Sequence, residues 1–234
     1  MHDSAVGRLL GVLVAPGRTF RSIGERPTWV APLLAIVLIN LCVGLVAAPR
    51  IDYEDIFRQQ VARSGREVPQ EVMDKQIAMM TKNRTLLAVL QSIVEPLGLC
   101  LLALGPWAAF RLLGSELTYL QGLSVMLYSF MAQMLAALLS LPVLLSRSTL
   151  GYADIRTGSF LKSNLASLIG SEETNHAIYA LFVSLDVFSV WVLILLVLGY
   201  REVARVSTAK AVTTMIVLWM LVVGCKVGWA AVFG

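Results

Sequence analysis

Three charged residues lie inside long apolar blocks of the sequence, namely Glu95, Asp186 and Lys226. A charge at the centre of a membrane helix costs about 2.5–3.5 kcal/mol on insertion scales, so it needs a partner or a function. Carboxylates and an ammonium group at such positions can form ion pairs, relay protons or bind ions. Gln133 lies in another apolar block, where an amide side chain typically joins two helices by hydrogen bonds. We predict that these four candidate site residues form an intramembrane polar layer.

The three charges have similar predicted depths in the membrane. Glu95 and Asp186 each lie nine residues past the start of their block, and Lys226 lies eight residues before the end of its block. With a helical rise of about 1.5 Å per residue, all three fall about 12–14 Å below the same membrane surface. The leading hypothesis is a structural ion pair of Lys226 with Asp186 or with Glu95. A proton or ion path is one alternative, and a snorkelling lysine or a protonated, neutral Glu95 is another.

The other reactive residues predict no catalytic or metal site. Two histidines and three widely spaced cysteines do not form a metal-ligand pattern, and the sequence has no HExxH, GxSxG or P-loop motif. We therefore expect a protein without enzymatic activity, cofactor or metal. The formal net charge of +4 is modest, and the basic residues flank the apolar blocks. This pattern favours the lipid bilayer over nucleic acid as the charged partner.

The elements that must position these residues are membrane helices. Of the 234 residues, 57% are hydrophobic and only 15% are charged, whereas soluble domains carry about 25% charged residues. Inside lipid each backbone polar group needs a partner within its own segment, so apolar blocks of about 20 residues should be helices. We predict an all-α fold for the membrane domain 29–234, a polytopic transmembrane helical bundle. Its five spans are predicted at 29–48, 86–110, 117–145, 177–199 and 211–233.

Segments outside the spans also have helical patterns, and we predict amphipathic helices there. Residues 1–28 form a predicted interfacial segment on the cytoplasmic side, with Phe20 and Ile23 on one face and arginines on another. Further apolar stripes occur in the loops; they lie around 53–61, 69–80 and 160–169. Helices packed on the protein surface are the simplest interpretation of these stripes, and binding to the membrane surface or to a partner is the alternative.

Basic residues near the ends of the spans predict the orientation, because lysines and arginines favour the cytoplasmic side. Those on the predicted cytoplasmic membrane surface are Arg8, Arg18, Arg21, Arg26, Arg201, Arg205 and Lys210. The loop 49–85 carries seven basic residues on the opposite side, which weakens the bias. We predict an integral protein of the bacterial cytoplasmic (inner) membrane, with its N-terminus in the cytoplasm and its C-terminus outside.

Three stretches resemble the Yip (Ypt-interacting protein) domain family in its bacterial, five-span form. "APGRTFRSIGERPTWVAPLL" is similar to the entrance of the first span, and "MLYSFMAQMLAALLSLP" is similar to the third span. "SLDVFSVWVLILLVLGYREVARVSTAKAVTTMIVLW" resembles the fourth and fifth spans with their short basic hinge. The positions that match the family pattern there are Asp186, Phe188, Trp191, Gly199, Lys210 and Ala211. The resemblance covers nearly the whole chain in the number and order of spans.

The resemblance implies a protein that acts through partners. Eukaryotic members bind small GTPases of vesicle traffic and have no enzymatic activity of their own. This chain has neither their long N-terminal extension nor their Asp-Leu-Tyr-Gly-Pro stretch, so we do not predict GTPase binding. We expect a scaffold or accessory subunit of a membrane or transport complex, with a membrane-protein partner or as a homo-oligomer. The alternative is a small transporter or channel that uses the layer of Glu95, Asp186 and Lys226.

Overall fold

The protein is a helical bundle, which a computed structural model describes over residues 4–64, 67–156, 160–168 and 175–233. Its α-helices within these ranges are α1 (Ala5–Val14), α2 (Pro16–Glu25), α3 (Val30–Ala47), α4 (Tyr53–Ser64), α5 (Gln70–Lys82), α6 (Arg84–Leu102), α7 (Leu104–Leu112), α8 (Tyr119–Ser129), α9 (Met131–Ser146), α10 (Tyr152–Arg156), α11 (His176–Ser184), α12 (Val187–Val203) and α13 (Thr208–Phe233). The described residues contain two isolated β-bridges and no strand. The predicted all-α class is confirmed.

Four helical segments of the described chain are long and apolar enough to cross a membrane. They are Val30–Arg50, Arg84–Leu112, Tyr119–Ser146 and Thr208–Ala231, and they overlap the first, second, third and fifth predicted spans. The second segment consists of α6 and α7, and the third of α8 and α9. The chain is thus a membrane protein with several apolar helices, as predicted.

The predicted span 177–199 is not one continuous helix. Residues up to Ser184 form the nine-residue α11, and the seventeen-residue α12 begins at Val187. Neither helix has the roughly 20 residues that a crossing requires, so helix length supports four spans instead of five. The interruption falls at Asp186, which has extended backbone and caps α12. An apolar run looks uninterrupted by hydropathy, but an aspartate is a strong N-cap residue and can start a new helix inside it.

The helix ends divide the bundle into two regions with different packing. We call the end that contains α2, α7, α8 and the C-terminal half of α12 the α2 end. The opposite end, which contains α4, α9, α10 and α11, is the α11 end. The side chains that are fully buried at the α2 end are large: Phe20, Ile23, Phe110, Leu117 and Tyr200. This end therefore holds much of the core.

Helix α2 packs along α12 and beside α8. Phe20 and Ile23 are completely buried, so the apolar face that predicted an interfacial helix lies against protein. The closest approach is at Gly199 of α12. A Cβ atom there would lie 2.5 Å from Val125 Cγ1 and 3.0 Å from Phe20 Cε1, so only glycine fits without a shift of its neighbours. Glycine at this position lets three helices meet.

The stripes in the loops have mixed outcomes. The patterns at 53–61 and 69–80 correspond to α4 and α5, as predicted. The pattern at 160–169 is not an α-helix: it begins with a turn, Lys162 has a positive φ of 51°, and a 3-10 turn follows at Leu165–Leu168, while residue 169 lies outside the described residues. The reason is that this segment pairs with the interruption between α11 and α12, as shown below.

A carboxylate fixes α4 at the α11 end. Asp55 Oδ2 accepts a hydrogen bond from the Tyr152 backbone N at 2.7 Å, and Asp55 Oδ1 accepts one from Gln59 Nε2 at 2.7 Å. The bond from the Tyr152 backbone, together with the one from Gln59, lowers the pKa of Asp55 below its ordinary value. The neighbouring parallel bridge of Ile51 with Leu150 joins the end of the first span to the end of the third.

Candidate functional site

Asp186 is buried at the interruption between α11 and α12, where it is 6% exposed. Its Oδ1 accepts hydrogen bonds from the backbone N of Phe188 at 2.8 Å and of Ser189 at 3.3 Å. Its Oδ2 accepts a hydrogen bond from Ser163 Oγ. These donors and the positive end of the α12 dipole stabilise the negative charge. Asp186 therefore has a structural role as the cap of α12.

The backbone at the interruption pairs with the segment 163–165. Leu165 N donates to Leu185 O at 3.2 Å, and Val187 N donates to Ser163 O at 3.3 Å. These bonds flank an antiparallel bridge between Asn164 and Asp186. Backbone that is not helical is tolerated at membrane depth only where it is buried in protein or lines a cavity. Residues 163–165 provide this burial in protein by pairing with the backbone of the break.

Lys226 lies on α13 opposite the end of α11. Its Nζ donates a hydrogen bond to Ser184 Oγ at 3.2 Å. The ion pairs within the described residues do not include Lys226. The predicted pairing with Asp186 or Glu95 is therefore wrong for the part of the chain that the structure describes. The donors already bound to Asp186 explain this, because they replace the lysine as the source of stabilisation.

Asp186, Lys226 and Gln133 line one cavity of about 320 Å³, which we call the polar pocket. Three further polar residues of its wall are Asn164, Ser184 and Ser189. Sequence reasoning missed these three. The position of Ser189 could have been predicted from the sequence, since it lies three residues after Asp186, in the first turn of α12. Asn164 carries no comparable signal, because its position depends on the fold of a loop.

Glu95 lies elsewhere, on the exposed side of α6. Its Oε2 accepts a hydrogen bond from Asn40 Nδ2 of α3 at 3.2 Å. Both residues line a second cavity of about 440 Å³ between α3 and α6, together with Tyr53 and Arg84 at its α11 end. The structure thus places the four residues of the predicted polar layer in two separate cavities.

Most of the basic residues of the predicted cytoplasmic surface are accessible. Arg18, Arg21, Arg26, Arg205 and Lys210 are exposed, and Arg201 is half-buried. Arg201 Nη2 lies 2.5 Å from Glu202 Oε1, and Arg21 Nη2 lies 3.6 Å from Glu202 Oε2, so this acid joins α2 to α12.

Arg8 differs from the other basic residues, because it is only 4% exposed and lies inside the protein. Its Nη1 donates hydrogen bonds to Arg26 O at 2.9 Å and to Thr28 Oγ1 at 3.2 Å. The interpretation of Arg8 as a membrane-surface residue is thus corrected. Helix α1 is turned so that Arg8 faces the bundle and apolar residues such as Leu10 and Val14 face outward, an arrangement typical of contact with acyl chains.

Comparison with known proteins agrees with this architecture. The sequence pattern of the Yip1 domain matches residues 10–229. The chain belongs to the Yip1 domain family. It is also similar to "Membrane protein YknW" of Bacillus subtilis (strain 168), with 23% identity over 218 residues that cover 92% of this chain and 86% of that protein. No solved structure matches the chain.

Several positions that carried the resemblance to the Yip1 domain have clear physical roles. Asp186 caps α12, and Gly199 allows the close contact of α12 with Val125 and Phe20. The rings of Phe188 and Trp191 stack with their centroids 6.5 Å apart. These residues position the helix that carries the family pattern.

One further feature of this Yip1-family chain escaped the sequence analysis. Gly224 and Gly228 are four residues apart on α13 and exposed, and a Cβ atom on either would meet nothing within 4 Å. In transmembrane helices this spacing of glycines lets a second helix approach closely. The GxxxG spacing in the sequence could have predicted this possible contact site. On an ideal helix the two glycines lie on the side opposite Met215 and Val223, which face the bundle.

Proposed function

We propose that this protein is a non-enzymatic scaffold or accessory subunit of a membrane or transport complex. It binds another membrane protein, or a second copy of itself, through the outward face of α13. The open space beside Gly224 and Gly228 carries the proposal, because small residues at this spacing permit close helix contact in lipid. The exposed apolar residues Val217 and Leu221 on the same face add contact area.

The bonding of Asp186 supports a scaffold over a transporter. A transport path would need the charged groups to exchange partners with an ion or substrate, but Asp186 is held by two backbone donors and Ser163 Oγ. The break between α11 and α12 favours the alternative of a small transporter or channel, since broken helices form the substrate sites of many transporters. In those sites a helix N-terminus faces an anionic substrate, whereas here the side chain of Asp186 already occupies it.

We also propose that residues 176–203 cross the membrane as a fifth, interrupted span. With α11 and α12 in series, the segment has the length of a crossing even though each helix alone is too short. Five spans place the two termini on opposite sides of the membrane, and the basic residues of α2 and of the hinge between α12 and α13 favour the cytoplasm for the N-terminus. Reporter fusions at the two termini distinguish this from four spans, which leave both termini on the same side.

The test of partner binding is purification from native membranes in a mild detergent, followed by mass spectrometry. We expect a membrane protein at a constant stoichiometric amount, or a stable homo-oligomer, with the wild-type chain. The double variant Gly224→Leu, Gly228→Leu should lose this association, because two large side chains prevent close helix contact. The matched control is Gly98→Leu on α6, where a Cβ also meets nothing within 4 Å. A monomer without a stoichiometric partner, or an association that survives the double variant, contradicts the proposal.

A further inference from the structure

The polar pocket continues into a second, apolar cavity of about 270 Å³. Four residues line both cavities: Gln133, Ser189, Trp219 and Val222. We call the combined space the lateral groove. It runs between α7, α12 and α13, from the junction of α6 and α7 to Lys226.

The apolar part of the lateral groove opens toward the side of the bundle. Its walls include Pro106, Phe130 and Leu193. Leu102, Leu221 and Val222 also line it, and these are exposed apolar side chains. Because the lateral surface of a membrane protein faces acyl chains, an acyl chain can enter this part of the groove without leaving an apolar environment.

The polar part of the lateral groove has one cation, Lys226, which shares the wall with Asp186 but forms no ion pair with it or with another described acid. Asp186 is already satisfied by Ser163 and the first amides of α12. Lys226 donates one hydrogen bond to Ser184, and an ammonium group has three donors. A lysine at this depth needs a counter-charge, and a phosphate oxygen is a suitable acceptor. Lys226 therefore has donors left for a phosphate oxygen, whereas the oxygens of Asp186 are already used within the protein.

The position of Lys226 agrees with a lipid headgroup. The residue lies seven positions before Phe233, the end of α13, which is about 10 Å along the helix axis. A flexible lysine side chain can cover much of such a distance and reach the level of lipid phosphates. A helix of a second protein is about 10 Å wide and does not fit inside the groove.

From these observations we infer that the lateral groove binds one anionic phospholipid, with its phosphate at Lys226 and one acyl chain in the apolar cavity. The two parts of the groove match the two parts of such a lipid. The polar part has a cation with hydroxyl and amide neighbours for the headgroup, and the apolar part is open to the side of the bundle for the acyl chain. Gly224 and Gly228 do not line the groove, whereas Leu221 lies at the border and belongs both to the groove wall and to the proposed partner face.

Trp219 lines both parts of the groove and can report on the lipid. The protein is reconstituted in phosphatidylcholine vesicles that contain brominated phosphatidylglycerol or, in parallel, brominated phosphatidylcholine. The fluorescence quenching that disappears in Trp219→Phe is the signal from the groove. We expect brominated phosphatidylglycerol to quench this signal at a lower mole fraction than brominated phosphatidylcholine does. Equal quenching by the two lipids, or no Trp219-dependent quenching by either, overturns the inference; the second result would fit occupation by a second copy.

Lys226→Gln tests the headgroup contact. Loss of one charge-assisted hydrogen bond should reduce the preference for phosphatidylglycerol by about tenfold. Lys210→Gln is the matched control, since Lys210 is an exposed lysine at the other end of the same helix. It should leave the preference unchanged. A preference that survives Lys226→Gln, or that falls equally in the control, overturns the inference.

A second variant tests the acyl-chain site without a change of charge. Gly105 lines the apolar cavity, and a Cβ there meets nothing within 4 Å, so Gly105→Leu should narrow the cavity with little strain. We expect it to weaken the Trp219-dependent quenching by both lipids. Gly98→Leu, on the preceding helix and outside the cavity, should not. Unchanged quenching in a folded Gly105→Leu protein overturns the assignment of the acyl chain.

Discussion

The α2 end and the α11 end of the bundle achieve order by different means. At the α2 end, continuous helices interlock through large buried side chains, and the stacked rings of Phe110 and Tyr200 lie 5.0 Å apart. At the α11 end a helix is interrupted, and a polar side chain and a loop complete it. The difference shows that shape complementarity fixes one end, whereas hydrogen bonds to Asp186 and its neighbours fix the other.

The largest expected effect is on the interlocked side chains of the α2 end. Gly199→Val would place its Cβ 2.5 Å from Val125 Cγ1, and relief requires shifts in α8 and α2. We expect the free energy of unfolding in detergent to fall by about 3 kcal/mol, the upper part of the range for overpacked cores. Gly98→Val is the control, because it replaces a helical glycine with open space beside it. Similar losses in the two variants would show that the α2 end is not tightly interlocked.

The next effect concerns the hydrogen bonds of the α11 end. Asp186→Ala removes the acceptor for Phe188 N, Ser189 N and Ser163 Oγ. We expect a loss of about 2 kcal/mol in the free energy of unfolding, typical of a lost cap with buried donors. Asp186→Asn keeps one oxygen for the backbone of α12 and should lose less. If both variants unfold like the wild type in a detergent titration, the capping role of Asp186 is wrong.

The smallest effect is a pH dependence at the surface of the α11 end. Because hydrogen bonds from Tyr152 N and Gln59 lower the pKa of Asp55, its stabilising contribution is fully present above the ordinary aspartate pKa of 3.8. It is lost as the pH falls through the lower pKa of the folded protein. We expect the melting temperature of the wild type to fall below about pH 4 more steeply than that of Asp55→Asn.

Glu54→Gln is the control for this pH dependence, since it removes a carboxylate from the exposed side of the same helix without touching Tyr152. Its pH profile should follow that of the wild type. Parallel profiles for the wild type and Asp55→Asn would mean that α4 is not held through this carboxylate.

Much of the fold could be predicted from the sequence, because the thickness and apolar character of the bilayer determine the length and composition of each span. Blocks such as 29–48 and 211–233 are apolar over the length of a bilayer, and length with composition is sufficient to identify a crossing. The interruption of the block 177–199 could not be predicted in this way. Averaged hydropathy hides one aspartate among apolar residues, while its capping preference acts on the backbone of only a few neighbours.

The candidate site was predictable only in part. Three polar residues in apolar blocks were predicted to lie together, and the structure places them in one pocket: Asp186, Lys226 and Gln133. Glu95 is also a charged residue in an apolar block, but it contacts Asn40 instead of the other three residues. Its depth along the helix does not determine the direction in which its side chain points. Arg8 shows the same limit, since its burial depends on how α1 is rotated against the bundle.

The pairing of Ser163 and Leu165 with the broken helix has a consequence for biogenesis. The amide and carbonyl groups that the break exposes find their partners in a loop that precedes α11 in the chain. Insertion of the apolar segment into the bilayer cannot supply those partners, because lipid offers no hydrogen bonds. Residues 185–187 therefore reach their final hydrogen-bonded form only when residues 163–165 have folded against them, which couples the folding of these two parts of the chain.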